Sequence, residues 1–375
     1  MCISTEHPLI GANVGSERQL CGYAKALAQR DHTVYLVNAL KDAPDWDIDY
    51  DVCHIHNAGG LKGPNMLTAQ LARELGIPVL MSPVYWPTTE VQAEIMATGL
   101  ADNVDQLRLQ FNEHLEGVAK MLTFADWLLP NGEMEMEKVV ELLGGEILGL
   151  NIDEEITDKD VAGYTVIHNG IDLKDEIELA LSDTEMKFSD DFEELLHDRF
   201  ILCVARVEPR KNQINLIKAI DILCEDDPDL QTVIMGARAK QYVDYIKDEE
   251  CGRNVLYCPP GPKGAVLKMM RRCQVHAMPS YIETPGLVNL EAAALNCPIV
   301  VARRGSVEEY FGDVPGVFYC NPTNEEDIAE KIRAALDFGP AYELGSFVRN
   351  TYSYEQIAYK LEMVYKQVID RKKNL

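Results

Sequence analysis

The sequence predicts an α/β protein made of two consecutive doubly wound domains. Short apolar runs alternate with longer amphipathic segments along all 375 residues, which is the pattern of repeated strand–helix units. Eleven such runs fit one compact sheet poorly, and the chain is long for a single core. Two parallel sheets with helices on both faces therefore explain the pattern best.

The apolar runs are the predicted strands, and the amphipathic stretches between them are the predicted helices. SERQLCGYAKALAQRD, for example, has apolar residues at 20, 23, 24 and 27, as one face of a helix would. The first half supplies the strands TVYLVN (33–38), DVCHIHN (51–57), PVLMSP (78–83), DWLLPN (126–131) and YTVIHNG (164–170). The second half supplies FILCVAR (200–206), TVIMGA (232–237), NVLYCPP (254–260), QVHAMPS (274–280), PIVVAR (298–303) and GVFYCN (316–321).

The domain boundary is expected in an acidic segment without Gly or Pro, residues 171–199. This segment connects a first domain, 1–170, to a second domain, 200–350. The amphipathic stretch that closes the chain, YSYEQIAYKLEMVYKQVIDRKKNL, predicts a helix within 351–375.

Composition indicates a soluble globular protein, with 47% hydrophobic and 26% charged residues. No apolar run reaches the 18 or so residues of a membrane span, and the start MCISTEHPLIG lacks the basic and apolar regions of a signal peptide. The ten cysteines show no CxxC spacing, which favours reduced thiols over disulfides. A cytoplasmic location is expected.

The net charge of −26 is concentrated in the first half of the chain. Residues 1–170 carry 26 acidic and 10 basic side chains, whereas 201–375 carry 24 and 22. An acidic first domain disfavours nucleic acid or an anionic membrane surface as its partner. A simple gain in solubility explains the same charge equally well.

The predicted strand FILCVAR ends at Arg206, and Lys211 lies in the loop VEPRKNQ that follows it. Ligands of open α/β sheets bind beyond the carboxyl ends of the strands, so Arg206 and Lys211 are expected at that edge. Arg can grip a diphosphate through two nitrogens and Lys as a point charge. An isolated pair of this kind is more often a solvated basic loop.

The segment ETPGLVNLE, from Glu283 to Glu291, follows the strand QVHAMPS and begins a helix. Backbone amides at a helix N-terminus form an anion site, and they belong here to Gly286, Leu287 and Val288. The two carboxylates can accept hydrogen bonds from hydroxyl groups on either side of that anion. Alone, the segment is as easily a helix capped by chance acids. Together with the basic pair it suits a ribose, a diphosphate and a sugar, hence a nucleotide sugar.

These motifs resemble those of the GT-B glycosyltransferases of family 4, the group 1 retaining enzymes. The resemblance rests on the glutamate pair, on the following block LEAAALNCPIVVARRGSVEEYFGD, and on the Arg and Lys after the strand. GSERQLCGYAKALAQRDHTVYLVN, DVCHIHN, VIHNGID and YSYEQIAYKLEMVYKQ are similar to other blocks of the family, so the likeness covers nearly the whole chain. It implies two Rossmann-like domains facing a central cleft, with the last helix returning to the first domain.

The resemblance also implies the roles of individual residues. Glu283 would contact the transferred sugar, Glu291 the ribose, and Arg206 and Lys211 the diphosphate of a UDP-, GDP- or ADP-sugar, with Glu283, Arg206 and Lys211 carrying the chemistry. No metal is expected, because cations and amides can offset the charge on the leaving group. Further donor contacts are expected from Gly15, Gly236, Pro259, Gly286, Leu287 and Val288.

The acceptor side departs from the family pattern. Members often have a His shortly after the PVLMS-type strand, where this chain has Pro83, Val84, Tyr85 and Trp86. The two aromatic rings could stack on a sugar or be core residues, and Asn131 follows the next strand. The acidic first domain favours a neutral or cationic acceptor, such as a glycan, glycoside or small metabolite.

Two further motifs superficially resemble metal sites. The acidic run at Asp47, Asp49 and Asp51 precedes a strand, and His54 and His56 share a strand face without a partner Cys/His pair, so neither predicts a metal site. The missing His also fits a degenerate subunit that binds a nucleotide sugar without turnover. A sugar-nucleotide epimerase or a phosphorylase is a weaker alternative.

Overall fold

The computed structural model describes residues 1–5, 15–57, 63–85, 117–143, 163–172, 196–237 and 254–374, with backbone alone at 15–17. Contacts divide the chain into two compact units. The described residues up to 170 and those from Tyr352 onward form the first unit, and those from Ile171 to Thr351 form the second. Trp86 and most of the predicted connector 171–199 lie outside the described residues.

The first unit contains a parallel sheet of five strands in the order β2-β1-β3-β4-β5. Parallel sheets are buried on both faces, and β1, β3 and β4 are accordingly buried along their whole length. The strands are β1 (Cys2–Thr5), β2 (Tyr35–Asn38), β3 (Cys53–His56), β4 (Val79–Ser82) and β5 (Trp127–Leu128).

Strand β1 was not predicted from the sequence, and the strand predicted at 164–170 is not a full strand in the structure. β1 is central in the sheet and pairs Cys2 with both Tyr35 and Cys53. The run predicted as a strand at 164–170 forms a single bridge, between Tyr164 and Leu128. The helices of this unit are α1 (Gly15–Ala28), α2 (Pro64–Glu74) and α3 (Glu133–Leu143), with further helical residues at 117–122.

The last helix of the chain, α10 (Tyr354–Lys373), belongs to the first unit. Ser353 caps its N-terminus by accepting a hydrogen bond from the Gln356 amide. Its buried residues recur at helical spacing and pack in one apolar cluster with Leu20, Tyr23 and Leu27 of α1, which is why the helix docks there: Ile357, Ala358, Leu361, Val364, Tyr365 and Val368.

The second unit contains a parallel sheet of six strands in the order β8-β7-β6-β9-β10-β11. Numbered within the unit, this order is 3-2-1-4-5-6, that of the Rossmann fold. All six predicted strands of this half are present, each shorter than its apolar run. They are β6 (Phe200–Val204), β7 (Gln231–Met235), β8 (Val255–Cys258), β9 (Val275–Met278), β10 (Ile299–Ala302) and β11 (Val317–Cys320).

Helices connect these strands and bury apolar residues against the sheet. The helix after β6 packs against the helix after β11, and both contribute to one core that includes Leu216, Ile220, Ile328 and Ile332. The helices are α4 (Gln213–Asp226), α5 (Lys263–Arg272), α6 (Leu287–Ala294), α7 (Val307–Phe311), α8 (Glu325–Phe338) and α9 (Tyr342–Thr351). Among the described helices, none has the length and hydropathy of a membrane span.

Candidate functional site

The site lies at the carboxyl ends of β6 and β9 in the second unit. These strands are neighbours in the sheet although more than 70 positions separate them in the chain, and Leu202 pairs with His276. Here the winding of the sheet reverses, which is where doubly wound folds bind their ligands. The loops after β6 and β9 carry the two motifs singled out from the sequence.

The loop after β6 is held in a fixed conformation by Asn212. Pro209–Lys211 form a single 3-10 turn, and Asn212 then adopts a left-handed conformation with φ 58°. Its buried side-chain amide donates to the carbonyl oxygens of Pro279 at 3.0 Å and Pro322 at 2.7 Å. Asn is among the few residues that accept this backbone region at low cost. The turn therefore directs the preceding Lys211 toward the loop after β9.

Lys211 forms an ion pair with Glu283, the first glutamate of ETPGLVNLE. The side chains of both residues are largely buried, with 12% and 7% of their surface exposed. Arg210, which sequence reasoning did not select, places Nη1 3.5 Å from the same Glu283 oxygen and donates to the Ile282 carbonyl at 3.1 Å. Glu283 is thus held by two cations from the neighbouring loop.

Glu283 is ionised in this setting. Burial acts to raise its pKa, but the positive charges of Lys211 and Arg210 and the hydrogen bond from Lys211 outweigh it, so the pKa lies below its usual value. The backbone is anchored as well, because the Ser306 amide donates to the Glu283 carbonyl at 3.0 Å. A fixed, ionised carboxylate suits orientation of a substrate and stabilisation of positive charge.

Arg206 occupies a different position from Lys211. Its side chain is 68% exposed, and its guanidinium lies 3.1 Å from Glu208. The Arg206 carbonyl accepts a hydrogen bond from the buried Gln213 side chain at 2.9 Å, which fixes the backbone at this point. The structure therefore does not bring Arg206 to Glu283. Its charge is at the surface of the same loop, available to an anion from solvent.

Gly286 brings the backbone close to Glu283 at the start of α6. Its φ is 82°, a value that favours glycine, and a Cβ there would lie 3.1 Å from Glu283 Oε2 and 2.8 Å from the Met278 methyl group. Asn289 donates to the Pro285 carbonyl at 2.9 Å and fixes the turn. Helices leave their first amides without intrahelical partners, so the N-terminus at Leu287 offers donors to an anion.

Glu291 is buried in α6 and forms an ion pair with Lys263, the first residue of α5. Lys263 was missed from sequence, although it follows the carboxyl end of β8 much as Lys211 follows β6. Its side chain is 18% exposed. Each glutamate of the motif therefore pairs with a lysine from another strand–helix loop.

Gly236 and Pro259, which were expected as donor contacts, follow β7 and β8. A Cβ on Gly236 would lie 1.8 Å from the Ala205 carbonyl oxygen, so glycine is required for the close approach of the β6 and β7 loops. Its amide donates to the Cys258 carbonyl at 3.1 Å. Pro259 is exposed at the start of the loop that leads to Lys263. The role of Gly236 that the structure shows is therefore in packing, because its missing side chain allows the two loops to approach.

In the first unit, Tyr85 and Asn131 are joined by a buried glutamate that sequence reasoning missed. Glu135, in the first turn of α3, accepts hydrogen bonds from the backbone amides of Tyr85, at 2.6 Å, and of Asn131. The Tyr85 ring is buried in the apolar core, which favours the core alternative for this residue. Val84, before it, has φ 50°, an unusual value for a β-branched residue.

The two motifs that superficially resembled metal sites, the His54/His56 pair and the acidic run at Asp47, lie in the first unit. His54 is fully buried between the Tyr365 hydroxyl at 2.8 Å and the Ser82 hydroxyl at 2.9 Å, and burial lowers its pKa to about 3. The acidic run at Asp47 lies in the turn that precedes β3, at the amino end of that strand. In the part of the chain that the structure describes, no three His, Cys, Asp or Glu side chains are grouped to hold a metal ion.

Comparisons with known proteins match the second unit to a family of glycosyltransferases. A family model described as "Glycosyl transferases group 1" matches residues 185–344, which include β6 to α8 and every site residue of the second unit. D-inositol 3-phosphate glycosyltransferase from Corynebacterium glutamicum is 30% identical over 120 residues, 30% of this chain and 29% of that protein. The alignments with this protein and with two other curated relatives cover only 28–36% of the length of those proteins.

Solved structures of similar fold extend over the whole chain. Sucrose-phosphate synthase from Thermosynechococcus elongatus superposes with a TM-score of 0.69 at 15% identity, covering 99% of each chain. Anabaena HepE, solved with UDP and glucose, has a TM-score of 0.69 at 15% identity and covers 98% of this chain and 99% of its own. The chain therefore has the two-unit α/β fold of the GT-B glycosyltransferases, and its residues 185–344 match the group 1 glycosyl transferases.

Proposed function

We propose that the protein is a retaining, metal-independent glycosyltransferase of family 4 that transfers a sugar from a nucleoside-diphosphate sugar to a hydroxyl group. The observation that carries the proposal is the pairing of Glu283 with Lys211 at the switch point between β6 and β9, beside the N-terminus of α6. Cations and amide donors converge there on a position suited to a diphosphate.

The proposed donor site divides its contacts among the loops. Arg206, exposed on the β6 loop, and Lys211 bind the diphosphate together with the first amides of α6. Lys211 is already paired with Glu283, so a bound diphosphate shares its ammonium with that carboxylate. Glu291 accepts hydrogen bonds from the ribose hydroxyls, and Glu283 orients the transferred sugar.

In the proposed reaction, the bond between the anomeric carbon and the diphosphate oxygen breaks as the acceptor oxygen bonds to the same face of that carbon. The acceptor's proton passes to the leaving diphosphate. Lys211, Arg206 and the α6 amides stabilise the negative charge on the leaving group, and the ionised Glu283 stabilises positive charge on the sugar. This front-face route requires neither a protein nucleophile nor a metal ion.

The acceptor is proposed to bind to the first unit. The protein is proposed to act in the cytoplasm. The acidic balance of residues 1–170 favours a neutral or cationic acceptor. The names of the matched relatives favour a phosphorylated one, since D-inositol 3-phosphate is named in the Corynebacterium enzyme. Comparing a polyol or sugar with its phosphate as acceptors separates the two alternatives.

A binding subunit without turnover is the second candidate, because Pro83, Val84, Tyr85 and Trp86 stand where similar enzymes often have a His. Thermal shift and calorimetry with UDP, GDP and ADP identify the nucleotide, and release of that diphosphate from its sugars in the presence of acceptors measures turnover. Nucleotide binding without hydrolysis or transfer would favour the binding subunit. Inverted anomeric configuration in the product, read from NMR coupling constants, would contradict the retaining mechanism.

A further inference from the structure

The ion pair between Lys263 and Glu291 joins two loops of the second unit that are distant in sequence. Lys263 begins α5 after the edge strand β8, and Glu291 lies one turn inside α6 after β9. The backbone before Lys263 is constrained by prolines at 259, 260 and 262, and Pro262 occupies the N-cap with φ −62° and ψ 152°. Helices α5 and α6 pack against each other, so the two side chains meet from a rigid frame.

Burying the ion pair between Lys263 and Glu291 costs desolvation free energy, which suggests that both charges have a role. Glu291 has 4% of its side chain exposed, and removal of Lys263 would take away a positive charge that offsets this buried carboxylate. Lys263 supplies that compensation from one side while keeping part of its own surface accessible. A carboxylate held in place by a paired ammonium group can accept directional hydrogen bonds from a vicinal diol.

We propose that Lys263 is a positioning residue that makes the site selective for ribonucleotides over deoxyribonucleotides. It acts through Glu291, whose carboxylate it contacts and orients toward the ribose hydroxyls. The inference rests on the proposed function, because it takes Glu291 as the ribose contact. Two other roles for Lys263 make different predictions. A direct phosphate contact would affect all nucleotides equally, and a simple tether between α5 and α6 would affect stability alone.

The test compares a ribonucleoside diphosphate with its 2′,3′-dideoxy counterpart, using the tightest binder among UDP, GDP and ADP. Calorimetry measures both ligands on the wild type and on Lys263→Met, which keeps the aliphatic stem. Loss of one charged hydrogen-bond partner predicts about a tenfold weaker binding of the ribonucleotide and a change of less than about twofold for the dideoxy analogue. Lys263→Arg should restore most of the discrimination.

Two further variants separate the possible roles. Arg271→Ala, on the exposed side of α5, is the matched control and should leave both affinities unchanged. In a Glu291→Gln background, Lys263→Met should add little, because the carboxylate on which it acts is gone. Circular dichroism melts of every variant show whether α5 and α6 still fold.

The outcomes distinguish this inference from the proposed function. Equal loss of both ligands in Lys263→Met, or no loss of either, would overturn the positioning role while leaving a nucleotide-binding protein. A wild type that binds both ligands equally would do the same. A wild type that binds no nucleoside diphosphate would overturn the proposed function and this inference with it.

Discussion

Lys211→Met tests the central ion pair of the site. The substitution keeps most of the apolar stem of Lys211 and removes the charge that faces Glu283. Glu283 remains in place with 7% of its side chain exposed, so its negative charge loses its nearest compensation. We expect the second unit to be destabilised even without any nucleotide.

The size of the effect follows from the surroundings of Glu283. Breaking a buried ion pair from one side costs about 3–5 kcal/mol. Arg210 stays 3.5 Å from the same carboxylate oxygen and compensates in part, which places the expected loss near 3 kcal/mol. The double variant Lys211→Met/Glu283→Gln removes the unpaired charge and should recover most of this loss.

Urea unfolding measured by two probes locates the effect. All three tryptophans, at 46, 86 and 127, belong to the first half of the sequence, whereas circular dichroism reports both units. A chain of two units need not unfold in one step. In Lys211→Met the circular dichroism transition should begin at lower urea, while the tryptophan fluorescence transition changes little.

The loss should also depend on pH. In the wild type Glu283 has a lowered pKa, so its contribution to stability is present above the unfolded pKa of about 4.3 and is lost as pH falls through the folded pKa. Without Lys211, burial raises the pKa of Glu283. As pH falls, protonation of Glu283 removes the buried negative charge, so the variant loses less stability than it does at pH 7. The stability gap should therefore narrow from pH 7 to pH 4. A gap below about 1 kcal/mol at pH 7, or a double variant no more stable than Lys211→Met, would refute the reasoning.

The other predictions concern separate groups. Arg206→Ala, on an exposed side chain, should weaken nucleoside-diphosphate binding by about 1.5–3 kcal/mol and change unfolding by less than about 0.5 kcal/mol, and unchanged calorimetric affinity would refute the diphosphate contact. Glu291→Ala should mainly lose nucleotide affinity, whereas Glu283→Ala should lose about a hundredfold in turnover and still bind the bare diphosphate; equal losses of affinity would contradict these roles. Turnover should survive a strong chelator, and loss restored by one divalent ion would contradict the metal-free mechanism. Glu135→Ala, which leaves two buried backbone amides unpaired, should destabilise the first unit by about 2–4 kcal/mol by tryptophan fluorescence, and an unchanged transition would argue against this role.

The two-sheet architecture could be read from sequence because buried parallel strands are continuous apolar runs. FILCV and IVVA are apolar throughout and were predicted at β6 and β10. The strand β1, with the sequence CIST, has only two apolar residues and was missed, although all four residues are buried. Its burial comes from lying between β2 and β3, which is a property of the sheet and not of the four residues.

Within the site, sequence located the loops but not the pairings. Arg206 and Lys211 looked equivalent because both follow the same strand. Lys211 is buried because of the left-handed turn at Asn212 and its contact with Glu283, 72 positions away. Arg206 has neither feature and stays exposed. Glu135 was one of three alternating acids, Glu133, Glu135 and Glu137, and only the packing of α3 selects which of them is buried.

The local charge of the site differs from that of the chain. The described loops after β6, β8 and β9 bring four cations, Arg206, Arg210, Lys211 and Lys263, against three carboxylates, Glu208, Glu283 and Glu291. A net charge of −26 therefore coexists with a locally positive site, to which the N-terminus of α6 adds partial positive charge. Because most of these cations already hold carboxylates, they are fixed in place before a ligand arrives. Such preorganisation lowers the ordering cost of binding, so the glutamates position the very cations whose charge they partly neutralise.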